Sequence, residues 1–403
     1  MISATVPSLQ YDVLVVGGGP AGVGAAVAAE RMGAHTALLE RGGLLGGMLT
    51  AGQVQPILGN VAPGSFYDEI VALLAEGHED VPLLSTRNGR EIHVDVEEAK
   101  ERLLRLTHES GVEIFLHTPV VEVLKDGSRV TGVLAGTALG LQELHASVVI
   151  DATGDGLVCR RAGMPMQVSA GGMQPMSLCF LLRNVDVTTA LLRDHIHHTG
   201  LHGQSKHMGI YHALQKLAEQ GEDVPQFGGP WFNSTMQEDL ICVNITRAAA
   251  NAADRAHLTQ AECRMREDAY KLVALLRKLY PEFAKASIAE IAAQGGVRET
   301  YHIRGLYTLS GADILGGAPC ADGVAFCSHP VDIHSAQDNT QTAQYFDTPC
   351  PVPYRVMVAA GFDNLIAAGR CVSCVDEAYA SMRVQGTCMA IGEAAGVAAA
   401  MRR

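Results

Sequence analysis

The chain has 403 residues, 48% of them hydrophobic, enough to bury a large core and to divide into two domains. A formal net charge of -13 excludes a surface that tracks nucleic-acid phosphates, because such surfaces rely on Lys and Arg. No stretch reads as a membrane span, and the opening MISATVPSLQ lacks the basic and then apolar pattern of a secretory signal, so a cytoplasmic location is expected.

Ten cysteines are scattered without framework spacing, as reduced thiols would be. Tyr11 to Arg41 then reads as a nucleotide-binding unit. The apolar run YDVLVV feeds Gly17, Gly19 and Gly22 in GGGPAG, a strand, tight turn and helix start. In that pattern Gly17 permits the turn, Gly19 lets a pyrophosphate approach the backbone, and Gly22 brings the helix close to the sheet. Pro20 suits a first helical turn, which can spare a backbone donor. A second strand, His35 to Leu39, ends in Glu40, whose carboxylate suits ribose hydroxyls and would repel a 2′-phosphate. The expected cofactor therefore carries an unphosphorylated adenosine. The next stretch, RGGLLGGMLTAGQVQPILGN, is rich in glycine and poor in charge, and it is expected to run along an extended cofactor rather than over bare surface.

Ser65 to Leu74 and Val96 to Ser110 carry apolar residues at helical spacing. Val112 to Leu116, Val120 to Leu124 and Arg129 to Leu134 alternate as strands, with Asp126-Gly127 marking a hairpin turn. Another buried strand, Ala146 to Ile150, runs into DATGDG, at the end where open α/β sheets bind ligands. Asp155 there either accepts from a ribityl or ribose hydroxyl or caps the following turn. Beyond Met164, helices are expected over His207 to Gln220 and Thr259 to Leu279, the second with a capping-type start at Thr259 and Glu262 and a stop at Pro281. His195, His197, His198, His202, His207 and His212 read as a solvated segment rather than a metal site, since no carboxylate or thiolate partner matches their spacing.

Arg298, Glu299, Tyr301, His302 and Arg304 crowd one short stretch of an apolar, strand-like run. Alternation predicts Arg298, Thr300, His302 and Arg304 on one face, suited to an anionic or carbonyl substrate near a redox centre; a salt-bridged sheet face is the alternative. Asp332 and His334 in HPVDIHS either form a proton-transfer couple or hold their loop together. In the last stretch, Asn364 to Ala400, a buried strand ends at Gly369, a turn carries Arg370 to Ala380, and an alanine- and glycine-rich helix begins near Gly386. The N-terminus of that helix, with Arg383 and Gln385 beside it, offers positive potential where a reduced flavin holds negative charge around N1 and the C2 oxygen. Cys371 and Cys374 form C-x-x-C, but they precede a further loop instead of opening a helix, so thiol exchange is not expected there.

With VVGGGPAGVGAA, LLER, GGMLTAG, DATGDG, VNITR followed by LTQAE, GVRETYHIRGLYTL, PVDIH and LIAAGRCVS with SMRVQGTCMAIGEAAGVAAA in this order, the chain resembles the FAD-dependent oxidoreductases related to glutathione reductase and fumarate reductase flavoproteins. More narrowly it is similar to the subgroup that includes xanthan-lyase-like FAD-dependent oxidoreductases. The resemblance implies an α/β fold with a Rossmann-type FAD-binding domain, residues 1–165 and 346–403, and an inserted α+β substrate domain, residues 166–345. It implies bound FAD, held by Gly17, Gly19, Pro20, Ala21, Gly22, Glu40, Arg41, Gly47, Met48, Val121, Asp155, Gly369, Arg370, Arg383, Gly386 and Thr387. The family pattern resembles R-E-T-R-R, whereas this chain has Tyr301 and His302 where the later arginines would fall, so a cationic clamp becomes an aromatic and titratable pair.

A second G-x-G-x-x-G opening another βαβ unit is not found, so a nicotinamide-binding domain is not expected and the organic substrate is the electron donor. The expected function is dehydrogenation or oxidation of a small organic substrate by hydride transfer to flavin N5, with electrons passed to oxygen or another carrier. His302, Tyr301 or His334 would act as base, with Arg298 and Arg304 beside them. A flavin monooxygenase using an external reductant and a non-catalytic flavoprotein are the alternatives. No metal, nucleic-acid or membrane partner is expected, and homo-oligomerisation stays open.

Overall fold

The computed structural model describes residues 7–60, 62–78, 83–86, 89–92, 94–169, 172–192, 207–235, 237, 240–316 and 320–403. In chain order these form β1 (Leu9–Val16), α1 (Pro20–Arg31), β2 (Thr36–Leu39), β3 (Ile57–Asn60), α2 (Phe66–Ala75), β4 (Leu83–Thr86), β5 (Gly89–Ile92), α3 (Val96–Glu109), β6 (Glu113–Phe115), β7 (Val120–Asp126), β8 (Arg129–Thr137), β9 (Gly140–Asp151) and α4 (Leu157–Arg161). There follow β10 (Phe180–Arg183), α5 (Met208–Glu219), β11 (Phe227–Ser234), β12 (Leu240–Thr246), α6 (Arg255–Leu279), β13 (Ser287–Ile291), α7 (Gly311–Gly316), β14 (Gly323–Cys327), β15 (Val331–His334), β16 (Gln341–Gln344), β17 (Cys350–Pro353), β18 (Leu365–Ala367), α8 (Asp376–Met382) and α9 (Gln385–Ala400).

The apolar run of β1 is buried from Val13 to Val16, as a strand covered on both faces must be. It pairs in parallel with β2 on one side and β9 on the other, and the order β6-β2-β1-β9-β18 is parallel throughout. Strand β9 has 12 residues, and its length gives it two roles. Gly140 to His145 pair antiparallel with β8, which extends the sheet into β7, whereas Val149 to Asp151 pair in parallel with β18. The carboxyl ends of β1, β2, β9 and β18 thus gather at one edge of a mixed α/β, Rossmann-type sheet.

Helix α1 is made of small residues, all buried from Ala21 to Ala29, and α9 lies across it. A Cβ at Gly392 would stand 2.0 Å from the Ala21 carbonyl oxygen, and one at Gly396 would stand 2.2 Å from that of Ala25. Residues four apart share a helix face, so the two glycines form a smooth strip that lets the backbones touch. The alanine- and glycine-rich composition of α9 follows from this contact.

A second sheet, β11-β12-β10-β13, is antiparallel. Helices α5 and α6 cover one face, burying Phe180, Leu214, Phe232, Val243 and Leu276. On the other face Cys179, Leu181 and Cys242 pack on Val54, and the Cys242 thiol donates to the Gln53 carbonyl at 3.4 Å. The second sheet therefore lies over the glycine-rich loop that follows Glu40. Ile314, Ala325, Val331 and Val352 share a buried cluster with Val13 and Ala25, and β14 pairs with β17. A boundary at residues 345 and 346 would divide that strand pair.

Several local expectations change. Helix α6 starts one turn before Thr259 because Asp254 caps it, Oδ1 accepting from the N–H of Ala256 at 2.8 Å and His257 at 2.9 Å. Thr259 donates back to the Arg255 carbonyl, and Glu262 accepts from Gly295 N–H at 2.6 Å. The expected turn from Arg370 to Ala380 contains the start of α8. His207 is a helix cap, its Nδ1 accepting from Ile210 N–H and its Nε2 donating to the Leu191 carbonyl at 2.7 Å, and His212 is exposed. His195, His197, His198 and His202 lie outside the described residues. No described helix is long and apolar enough to cross a membrane.

Candidate functional site

The turn from β1 into α1 is sterically committed. Gly17 has φ +104°, and a Cβ there would stand 2.5 Å from the Ala152 carbonyl oxygen. A Cβ on Gly22 would meet Gly17 O at 1.7 Å, so the helix start lies against the strand end. Gly19 caps α1 and faces open space, with Pro20 following as the first helical residue. Ala21 is buried, its Cβ turned toward Gly369, so its side chain packs while its backbone stays in the turn. Gly47 folds back over this corner, its would-be Cβ 3.1 Å from Gly19 Cα.

Beside the corner lies a cavity of about 220 Å³ lined by Gly17, Glu40, Arg41, Val120, Asp155 and Tyr301, among others. Glu40 is held at its wall by two backbone donors, Oε2 accepting from Gly18 N–H and Oε1 from Gly42 N–H, both at 2.7 Å. Val120 rather than Val121 lines the wall, because neighbours in a strand face opposite ways, and the Val121 carbonyl accepts from Arg161. Ala252 and Ala253, from the connection after β12, close the cavity from the side of the second sheet.

At the end of β9 the two aspartates divide the work. Asp151 is buried and staples the turn, accepting from Thr153 Oγ1 at 2.7 Å and from Cys159 N–H at 3.0 Å. Asp155 is not the cap. Its Oδ1 accepts from Arg370 Nη2 at 2.6 Å and Thr300 Oγ1 at 2.8 Å, and its Oδ2 meets no donor among the described residues. Burial opposes its ionisation, but Arg370 and Thr300 outweigh that cost and hold the carboxyl below its ordinary range.

A second polar cluster joins β15, the end of β12 and the start of α9. Asp332 Oδ2 lies 2.9 Å from His334 Nε2 and 3.3 Å from Arg383 Nη2. The carboxylate fixes the tautomer, Nε2 donating and Nδ1 facing Arg247 Nη2 at 3.5 Å. Burial and the positive charge of Arg298 hold His334 well below its ordinary range, so the ring is neutral. Arg247 is 2% exposed and Arg298 half-buried, and both donate to Ser177 Oγ. Around them, buried polar atoms have no described partner: Gln53 Oε1, Gln55 Oε1, His329 Nδ1, Tyr379 Oη, Arg383 Nε and Gln385 Oε1. Gln385 Nε2 donates to the Val54 carbonyl at 3.0 Å, which ties this group to the loop under the second sheet.

The match to the family model described as "FAD dependent oxidoreductase" runs over residues 12–403. The chain belongs to the FAD dependent oxidoreductase family. It is 30% identical over 158 residues to a digeranylgeranylglycerophospholipid reductase of Picrophilus torridus, covering 36% of this chain and 40% of that protein. It is 32% identical over 154 residues to the tRNA uridine 5-carboxymethylaminomethyl modification enzyme MnmG of Geobacter sulfurreducens, covering 35% of this chain and 24% of that protein. The chain thus spans less than half the length of either curated relative. A geranylgeranyl bacteriochlorophyll reductase-like structure from Thermoplasma acidophilum shares the fold, with a TM-score of 0.52 at 16% identity over 98% of this chain and 78% of that one.

The cofactor of this family member is FAD, and its residues fit the group. The open face of Gly19, the pinned carboxylate of Glu40 and the adjoining cavity suit an adenosine and its pyrophosphate. The unpartnered amide oxygens and Arg383 Nε suit the polar edge of an isoalloxazine ring. Met48 reaches toward Gly296, Gly369 takes φ +83° against Ala21, and Gly386 lies in the buried first turn of α9. Thr387 spends its hydroxyl on the Gly59 carbonyl at 3.0 Å, so its side chain serves packing.

The stretch from Arg298 to Arg304 departs from expectation. It is not a strand, its one isolated bridge being that of His302 to Gln167, so alternation does not sort its side chains. Arg304 is exposed. Tyr301 lines the cavity beside Gly17 and Glu40, with Arg160 Cζ 5.2 Å above its ring. His302 is 1% exposed and enclosed by Glu299 Oε1 at 3.3 Å, the Cys374 thiol at 3.8 Å and the Tyr379 ring, so its ring is engaged by these neighbours and does not line the cavity beside Gly17. Cys371 and Cys374 are buried with different partners, Cys371 on the Asp151 carbonyl, and burial pushes both thiols far up. Arg247, His329 and Tyr379 were not singled out from the sequence; His329 stands in the same HPVDIHS stretch as Asp332 and His334.

Proposed function

We propose that the protein dehydrogenates a small organic substrate bound where β12, β15 and the N-terminal end of α9 meet. The observation that carries this reading is the set of buried, unpartnered polar atoms around Arg383 and Gln385, which marks a place for a bound polar ring system and its substrate. The first sheet with α1 and α9 would hold the nucleotide, and the second sheet would form the substrate side, within the scheme of residues 1–165 and 346–403 around 166–345. Glu40, Gly17, Gly19, Gly22 and the Asp155–Arg370 pair would bind the adenosine, pyrophosphate and ribityl portions of FAD. Gln53, Gln55 and Gln385 would orient its ring. Bound FAD supplies the acceptor for a hydride.

The chain's own residues then manage the proton. His334 is a poor base, because a guanidinium faces its only free nitrogen. His329 is better placed for the role: its Nδ1 has no described partner, and burial lowers the imidazole to about 4, leaving it unprotonated at neutral pH. The second sheet excludes water above the loop at Gln53 to Gln55.

Anaerobic mixing of the yellow holoprotein with polyols, sugars, amines and hydroxy acids tests the reading. Bleaching of the flavin absorbance by one class is expected. No bleaching by any class, together with rapid NADPH consumption in the absence of organic substrate, would replace it with the monooxygenase alternative; electrons otherwise leave to oxygen or another acceptor.

A further inference from the structure

The cluster at the end of β12 is not electrically balanced. Arg247, Arg298 and Arg383 converge on it, while Asp332 is the carboxylate that pairs with Arg383 and, through His334, faces Arg247. Glu299 is the nearest acid in sequence to Arg298, but its oxygens are engaged by His302, by Ser169 and by the N–H of Gln174. Burial and the mutual repulsion of the guanidinium groups bring Arg247 down to about 10 and lower Arg298 as well. Positive charge left uncompensated in such a setting is costly unless an anion joins it.

The donors left over show where that anion would sit. Arg298 spends Nη1 on the Pro175 carbonyl at 2.6 Å and on Ser177 Oγ at 2.7 Å, and its Nε and Nη2 meet no acceptor among the described residues. Arg247 spends Nη1 on Ser177, Asn244 and Thr246, leaving Nη2 with only the long contact to His334. Ser177 thus bridges the two guanidinium groups and fixes their spacing. Trp231 stands over Arg247 with its ring centroid 5.2 Å from Cζ and also meets His334 edge to face, which supplies an apolar wall.

We propose that Arg247 and Arg298, bridged by Ser177 and walled by Trp231, form the subsite for a carboxylate carried by the substrate. This rests on the proposed oxidoreductase reading and adds the substrate class to it. The charge count favours a carboxylate over a phosphate. Counting the neighbouring Cys179 as a neutral thiol, three guanidinium groups less one aspartate leave two positive charges; Arg383, just before the start of α9, complements charge on a reduced flavin, and a single negative charge then completes the Arg247–Arg298 side. Two forked cations from different elements also suit the planar, two-oxygen geometry of a carboxylate.

The holoprotein is titrated with acetate, succinate, acetamide, succinamide and inorganic phosphate, reading both the flavin absorbance and the thermal midpoint. Acetate or succinate should shift both signals saturably, and the amides should not. Arg298→Gln, purified with its flavin, should bind the acids about tenfold more weakly or worse, and Arg298→Lys should recover part of the loss. Equal response to acids and amides, no response to any carboxylate, tighter saturation by phosphate, or unchanged acid binding by Arg298→Gln would each overturn the proposal. A carboxylate-dependent thermal shift in protein that nowhere bleaches with substrate would keep the subsite and remove the dehydrogenase reading instead.

Discussion

Arg370 Nη2 lies 2.6 Å from Asp155 Oδ1, so the turn after the last strand of the sheet is ion-paired to the turn after β9. Both side chains are mostly shielded, and removing either leaves a charge without its partner. Asp155→Asn or Arg370→Met should cost about 2 to 4 kcal/mol in chemical denaturation and weaken FAD retention. The lowered carboxyl also sets a sign: its contribution is complete above the ordinary carboxylate range and is lost as the pH falls through the lowered value. Asp155→Asn should therefore flatten the acid limb of the stability profile, and an unchanged limb would refute the pairing.

Glu40 accepts from two backbone N–H groups, so its charge both shapes the corner and faces the cavity. Glu40→Gln can keep only part of that pattern, because an amide has one oxygen. FAD affinity, followed by flavin fluorescence on dilution, should fall about tenfold. An unaltered affinity would separate the carboxylate from cofactor binding.

The strip of Gly392 and Gly396 admits no methyl group without moving backbone. Gly392→Ala should destabilise by about 1 to 3 kcal/mol and release FAD, since it pushes α9 away from the helix that Gly19 caps. Gly361→Ala is a poor control, because Gly361 has a positive φ; Gly136→Ala, where a Cβ meets only ordinary contacts, should be near neutral. Thermal melts of the two variants with and without added FAD test the contrast.

His329 ionises in the folded protein at about 4, against an ordinary 6.5, mainly because it is buried. The unfolded chain binds this proton first as the pH drops below 6.5, so stability declines from there toward 4, by about 3 kcal/mol in all. His329→Gln should reduce the slope of stability against pH across that window by about one proton, although His334, lowered for the same reason, keeps some slope in place. If His329 also accepts the proton during turnover, substrate-dependent flavin bleaching should slow in the same variant while FAD binding persists.

The nucleotide corner was legible because its signals are local. Gly17, Gly19, Pro20, Gly22 and Glu40 lie within one strand–helix–strand unit, and each requirement is a matter of backbone space or a single carboxylate. The strands of the first sheet were legible for a similar reason, alternation or continuous burial, although only the second half of β9 was expected, whereas the short β3, β4 and β5 were not read from the sequence. The stretch around His302 was not, because alternation sorts side chains only inside a ladder, and this segment is held by tertiary partners such as Gln167 and Ser169. Arg247 and His329 lay inside quoted motifs, VNITR and HPVDIHS, but no spacing assigned them a role: one follows a strand as a lone cation, and the other takes its surroundings from burial, from Asp332 and from Arg383, more than fifty residues downstream.

The strip between α1 and α9 has a consequence for biosynthesis. The segment that carries the phosphate turn is synthesised well before α9, the surface it must rest on. Until then the small-residue helix has a bare apolar side, and tight cofactor capture has to wait until α9 has been made and has docked.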